Sequence, residues 1–275
     1  MKRDIPLTDC MAALRGRKPL VHHITNYVTA NDCANVVLAA GASPVMADDE
    51  GESADITAVS AALVINMGTL NERTVSAMMK SGMMANAIGI PVILDPVGVG
   101  ASAMRNRVAE KLLDTIRFSV IKGNASEVSY IGRGRSRTKG VDVGEGEVAD
   151  LRELTGVASD VARRFGCVAA ITGSVDVIAC DGGIFHIANG CPEMGLITGC
   201  GCMCASLVAS CAGAGLDPLT SAVSGVALMG VAGELAFERC GELGTGSLRV
   251  AIVDTVSRMT DEELAGRARI SWVER

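Results

Sequence analysis

Basic residues are scarce: 25 Lys and Arg stand against 31 Asp and Glu in 275 residues, a net charge of −6. That balance leaves no electrostatic footprint for nucleic acid or an anionic membrane surface, so a small molecule is the expected partner. Also lacking is an apolar run near the start, where "MKRDIPLTDCMAALRGRKPL" has basic residues without the hydrophobic stretch of a signal peptide. A cytoplasmic protein is expected. No linker, internal repeat or low-complexity tract divides the chain, and its length can bury a sizeable core, which points to one domain over residues 1–275.

The ten cysteines include no CxxC pair, and contexts such as "RRFGCVAAITG" mark most of them as reduced core residues. Cys200, Cys202 and Cys204 are spaced by two, so on a helix their side chains diverge by roughly 200° per step and cannot chelate one metal together. The 23 uncharged residues from Met194 to Leu216 reach the length of a membrane span. Gly199 and Gly201 interrupt that run and Asp217-Pro218 end it, leaving a helix suited to a buried core rather than a membrane.

What the chain does have is a series of short apolar runs that end in glycine or a polar residue: "ALVINMGT", "IPVILDPVGVG", "FSVIKGN" and "CVAAITGS". They are near-continuous in Val, Ile, Leu and Ala, as strands covered on both faces are. Between and after them the pattern predicts helices over 71–81, 102–114, 147–165, 203–214, 219–239 and 244–259. Strand alternating with helix implies a mostly parallel sheet in an α/β layer fold. "VIACDGGIFHIA" reads as a hairpin around Asp181-Gly182-Gly183 and is expected to form an antiparallel edge, and "GRGRSRTKGVDVGEGE" as a mobile surface loop.

In a parallel sheet the strand carboxyl ends share one edge, where ligands bind. That edge collects Asn66, Gly68 and Thr69, then Asp95 to Gly100, Lys122 to Asn124, and Thr172 to Ser174. "TGCGC" ahead of "MCASLVASCAGA" has two readings, a plain Gly-rich turn before a buried helix or an anion cradle built from backbone N–H groups and a helix N-terminus. The edge residues favour the cradle: Lys122 can meet a phosphate, and Asp95 with Glu127 can hold Mg²⁺ directly or through water. Cys202 would then face the reacting group from the first turn, where a helix N-terminus lowers a thiol's pKa, and could take or orient a hydroxyl proton. Some residues have a blander reading: Met46 as core, Glu127 as a helix-end charge, and at least one of His22 and His23, which close an apparent strand, as structural, with neither given a catalytic role.

In their order along the chain, "PLVHHITNYVTANDCANVVLAAGASPVMADD", "ALVINMGTL", "VILDPVGVGAS", "IKGNASEV", "KGVD", "ITGSVDVI", "IANGCPEM" and "TGCGCM" resemble the segments of the hydroxyethylthiazole kinases, members of the ribokinase-like superfamily. The resemblance implies a ribokinase-like three-layer α/β sandwich and Mg²⁺- and ATP-dependent phosphorylation of the primary alcohol of hydroxyethylthiazole, a salvage step towards thiamine. By motif, Asn26, Val28, Met46, Gly68, Thr69 and Gly199 would bind the thiazole, while Lys122, Thr172, Gly199 and Gly201 would contact ATP. Asp95 and Glu127 would serve the metal, and Cys202 would stand where related kinases carry an aspartate base. A homotrimer with shared thiazole pockets is also implied. Four positions depart from the resemblance: Cys200 where Thr or Ala is common, Ser174 for Glu, Cys191 for His and Val143 for Ser. Rival readings are another small-alcohol kinase of the hydroxymethylpyrimidine type, a nucleotide-dependent repair dehydratase, a catalytically silent ligand-binding relative, and a thiol-based sensor.

Overall fold

The computed structural model describes residues 7–133 and 150–273. Among these, nine strands form one sheet: β1 (Leu20–Ile24), β2 (Ser43–Met46), β3 (Ala62–Asn66), β4 (Val92–Asp95), β5 (Val120–Asn124), β6 (Val168–Thr172), β7 (Asp176–Cys180), β8 (Gly183–Ile187) and β9 (Ile270–Val273). Their spatial order is β2-β1-β3-β4-β5-β6-β7-β8-β9, parallel through β6 and antiparallel beyond it.

Eleven helices accompany them: α1 (Cys10–Arg17), α2 (Ala30–Ala40), α3 (Ser53–Ala58), α4 (Glu72–Ile88), α5 (Ala103–Thr115), α6 (Ala125–Arg133), α7 (Leu151–Phe165), α8 (Cys200–Gly213), α9 (Pro218–Cys240), α10 (Thr245–Arg258) and α11 (Asp261–Arg267). Their starts follow local chemistry. Asn71 caps α4 in a reciprocal box with Thr74, Ser102 caps α5, and Asp217 caps α9 with Pro218 in the first turn, where a missing N–H costs nothing.

The apolar runs are continuous because the sheet is covered on both faces. Along β3, Ala62 and Val64 join the core shared with α2, α8, α9 and α10, whereas Leu63 and Ile65 join the core shared with α4, α5, α6 and α7. Successive side chains alternate between faces, so a strand needs apolar residues at every position when both are dry. Truncating a side chain such as Ile65, which is fully buried, would cost ~2–5 kcal/mol.

The structure shifts several expectations. The helix expected from residue 203 starts at Cys200, which draws Gly201 and Cys202 into its first turn. The first helix after β3 runs to Ile88, not residue 81, and ends only at Gly89. The hairpin forms, but β9 pairs with β8 and takes the edge expected for the hairpin. Of the expected loop, Gly132 and Arg133 end α6, and the remainder, with Val143, "KGVD" and the start predicted for α7 at residue 147, lies outside the described residues. One described helical stretch, Pro218–Leu243, is long and apolar enough to cross a membrane, yet 94% of its most apolar window is buried, so it serves as the central core helix.

Candidate functional site

The carboxyl ends of β1, β3, β4 and β5 meet the start of α8 and bring together Asn26, Asn66, Asp95, Lys122 and Cys202, all at most 9% exposed. Asn66 Nδ2 donates to Asp95 Oδ2 at 2.7 Å and to Cys202 Sγ at 3.2 Å; Asn26 Nδ2 donates to Asn66 Oδ1 at 3.0 Å and to Cys202 Sγ at 3.4 Å. From the next strand, Lys122 Nζ donates to the Gly201 carbonyl at 3.0 Å.

The start of α8 is built to stay open. Gly199, the N-cap, has φ +95°, a conformation that favours glycine, and no side chain caps the helix. A Cβ at Gly199 would lie 2.9 Å from Thr29 Cγ2, so glycine also allows the close approach of α2's leading turn. The first intrahelical bond is Met203 N to Gly199 O at 2.8 Å, which leaves the N–H groups of the preceding turn to an outside acceptor. An anion is the partner these donors and the helix dipole favour.

Electrostatics corrects one expectation. Burial, and then the charge of Asp95, push the Cys202 thiol above its ordinary value, outweighing hydrogen bonds from Thr29 and Asn66 and the charge of Lys122. The lowering expected from the helix N-terminus does not decide the balance, because the site is dry and already negative. Lys122 is opposed by burial but held above its usual range by Asp95, Cys204, Cys202 and Glu127, so it stays a cation. Burial raises Asp95, with Glu127 acting the same way and Lys122 in opposition.

Asp95 and Glu127 offer the hard carboxylate oxygens that Mg²⁺ takes, but both oxygens of Glu127 are engaged. Oε1 accepts from Gly98 N and Oε2 from Asn124 N, each at 2.8 Å, while Glu127 N donates back to Asn124 Oδ1 at 2.9 Å. The side chain therefore caps α6, which is its blander reading, and each oxygen keeps a second lone pair for a metal-bound water. Among the described residues no group of three or more His, Cys, Asp or Glu side chains forms a cation cage. The donor set fits an ion held by one or two carboxylates, water and substrate phosphates, the usual mode for Mg²⁺.

Beside the cradle lies a cleft of about 510 Å³, lined among others by Thr172, Asp176, Met194, Cys200, Gly201 and Met229. Thr172 Oγ1 donates to Gly123 O at 3.3 Å, which ties β6 to β5 at the cleft. Three of the four departures noted above, Ser174, Cys191 and Cys200, line this cleft. On the other side of Cys202, Thr69 Oγ1 accepts from Tyr27 N at 3.3 Å and Gly68 N donates to Asn66. Val28 and Met46 stand apart from the hydrogen-bonded cluster, apolar and 57% and 38% exposed.

Three residues that the fold uses here have no role legible in the sequence pattern. Asn66 was an edge residue only, yet it bridges Asp95 and Cys202. Arg105, from α5, donates to the carbonyls of Met67, Val97 and Gly68 and so clamps the loops after β3 and β4. Nothing in the local pattern of "SAMRNRV" marks it. Asp176 lines the cleft, accepts from Gly173 N at 2.9 Å, and is pushed up by burial to about 7. Its only signal was a carboxylate just past a strand-end Gly-Ser turn.

A family profile described as the hydroxyethylthiazole kinase family matches residues 11–262. Among curated proteins, the hydroxyethylthiazole kinase of Ruminiclostridium cellulolyticum is 50% identical, over 97% of both chains. That of Clostridium beijerinckii is 47% identical, over 94% of both. Among solved structures, a hydroxyethylthiazole kinase from Pyrococcus horikoshii OT3 superposes with a TM-score of 0.88 at 35% identity, covering 98% of this chain and 99% of that one. A ribokinase-like superfamily protein from Enterococcus faecalis shares the fold, at a TM-score of 0.63 and 11% identity over 90% of this chain and 89% of that one.

Proposed function

Since the chain belongs to the hydroxyethylthiazole kinase family, we propose that it transfers the γ-phosphoryl group of ATP to the primary hydroxyl of 4-methyl-5-(2-hydroxyethyl)thiazole, a salvage step towards thiamine that requires Mg²⁺. The observation that carries this reading is the meeting of Cys202, Asp95 and Lys122 at the uncapped N-terminus of α8, with a cleft on one side and Asn26 and Gly68 on the other.

In this reading ATP occupies the cleft with Thr172 and Gly201, and its terminal phosphates meet Lys122 and the α8 N–H groups. The thiazole lies towards Asn26, Val28, Met46, Gly68 and Thr69. Phosphoryl transfer needs charge neutralisation and alignment more than covalent help. Buried Lys122 and the N–H donors, already in place, supply the first. Cys202 accepts or orients the hydroxyl proton; because its thiol is held up, alignment by hydrogen bond is its principal contribution before nucleotide binds. A magnesium ion near Asp95 and Glu127 would supply further neutralisation of the phosphate oxygens.

A homotrimer, one domain over residues 1–275 and a cytoplasmic setting go with this reading. Exposed Tyr27 and Val28, next in sequence to buried Asn26, support a thiazole pocket completed by a neighbouring subunit. Light scattering that gives an active monomer would remove the shared pocket. The departures Ser174, Cys191 and Cys200 sit on the nucleotide side of Cys202, so they favour altered nucleotide contacts over a different acceptor alcohol. The deciding assay follows ATP consumption by the reduced protein with hydroxyethylthiazole, hydroxymethylpyrimidine and other small alcohols. Turnover of the pyrimidine but not the thiazole would replace the proposed acceptor.

A further inference from the structure

Two backbone N–H groups leave one orientation for each active-site amide. Gly68 N donates to Asn66 Oδ1 at 2.9 Å, and Thr29 N donates to Asn26 Oδ1 at 3.0 Å. A backbone N–H can only donate, so it fixes which end of each amide is oxygen, and the amino end must face the other way. Asn66 then spends one N–H on Asp95 Oδ2 and the other on Cys202 Sγ; Asn26 spends one on Asn66 Oδ1 and the other on the same sulfur. The donors of both amides are fully used.

Asn66 and Asn26 are 2% and 4% exposed, so turning either would strand buried polar groups. The sulfur consequently receives two N–H donors from fixed directions, beside the Thr29 and Asp95 side chains that also reach it. Asn66 also ties that sulfur to Asp95, from a different strand, through a single amino group.

We propose that Asn66 is a positioning residue for phosphoryl transfer: together with Asn26 it fixes the direction of the Cys202 sulfur and its separation from Asp95, so that the hydroxyl and phosphate sides of the reaction stay in register. The proposal rests on the role given above to Cys202. It goes beyond that role because both Asn66 donors are spent on Asp95 and Cys202, so Asn66 acts through the sulfur. Misplacing a reacting group by about 1 Å can cost ~10²-fold in rate, the scale open to such a residue.

A double-mutant cycle tests it on the full chain, with Asn66→Ala, Cys202→Ala and the pair, and with Asn66→Ser in parallel should the alanine variant fail to fold. Asn66→Ala is expected to lower kcat ~10–10²-fold while the KM values for thiazole and ATP change less than about threefold. In the Cys202→Ala background the same change should cost little, because the group it positions is gone. Equal kcat losses from Asn66→Ala in both backgrounds would make Asn66 a structural residue and overturn the proposal while leaving Cys202 in its role. An unimpaired Cys202→Ala enzyme would overturn both. A loss from Asn66→Ser seen only in KM would also overturn the positioning role.

Discussion

Lys122 Nζ donates to the carbonyl oxygen of Gly201, inside the first turn of the helix whose N–H groups form the cradle. A cation at a helix N-terminus opposes the helix dipole, and here it persists because Asp95 and other negative groups hold the charge in a dry site. An incoming phosphate would meet both at once.

Lys122→Met is therefore expected to raise KM for ATP and lower kcat/KM by ~10²–10³-fold, the range for losing one preorganised donor at developing charge. Thiazole affinity should change little. Steady-state kinetics with each substrate varied, beside isothermal calorimetry for the thiazole, reads the difference.

Cys202→Ala should keep fold and binding but lose ~10²–10⁴-fold in turnover, the usual worth of a positioned acid or base. Cys202→Asp should stay active, since a carboxylate can accept the same proton. Cys200→Ala should cost little, as Cys200 lines the cleft beside α8 while the Asn66 and Asn26 amides hold Cys202. A dead Cys200→Ala beside a fully active Cys202→Ala would reverse the two roles.

The two carboxylates should separate. Asp95→Asn is expected to raise the Mg²⁺ requirement and lower turnover with thiazole binding unchanged. Glu127→Gln must place an amino group against the backbone N–H of Gly98 or Asn124, so it should in addition lose ~1–3 kcal/mol of stability. Mg²⁺ titrations of activity and denaturant melts of both variants distinguish the effects.

His23, fully buried on β1, is held by burial at about 4, below its ordinary 6.5. A depressed histidine contributes stability that is present above the unfolded pKa and lost as pH falls through the folded one, so the window runs from about 6.5 down to 4. Over that span ~3 kcal/mol is at stake. Melting His23→Gln and the parent at pH 7 and pH 4.5 should show a smaller acid loss in the variant.

Asp176 has the opposite sign. A carboxyl raised from 3.8 to about 7 contributes stability fully present below the unfolded value and lost as pH rises through the folded one. Asp176→Asn retains a carbonyl for Gly173 N, so its stability relative to the parent should rise by ~3 kcal/mol from pH 5 to pH 8. A constant difference across that range would show that the carboxyl ionises normally.

Much of this architecture is legible along the chain. The strands from β3 to β6 announce themselves because burial on both faces demands apolar residues throughout, and each ends in the polar or glycine residues that form the crevice. β9 does not: "ISWV" is half-buried, short and far in sequence from its partner β8, so no local pattern separates it from a loop. Nor does α8 show its start, because Gly199 to Cys202 read equally as turn or helix until Thr29 and Lys122 pack against them.

By itself, then, the order of residues determined a parallel α/β core, an edge carrying Asn66, Asp95, Lys122 and Thr172, and a glycine-rich stretch ahead of a buried helix, since alternation, strand ends and backbone freedom are local properties. Tertiary structure alone decided how these act on one another. That Asn66 joins Asp95 to Cys202, that Glu127 caps α6 with one oxygen and holds the loop after β4 at Gly98 with the other, and that the Cys202 thiol is raised instead of lowered all depend on groups brought together from separate strands and on water being excluded among them. Distance and desolvation set hydrogen bonding and charge, and neither is written in the spacing of residues along a chain.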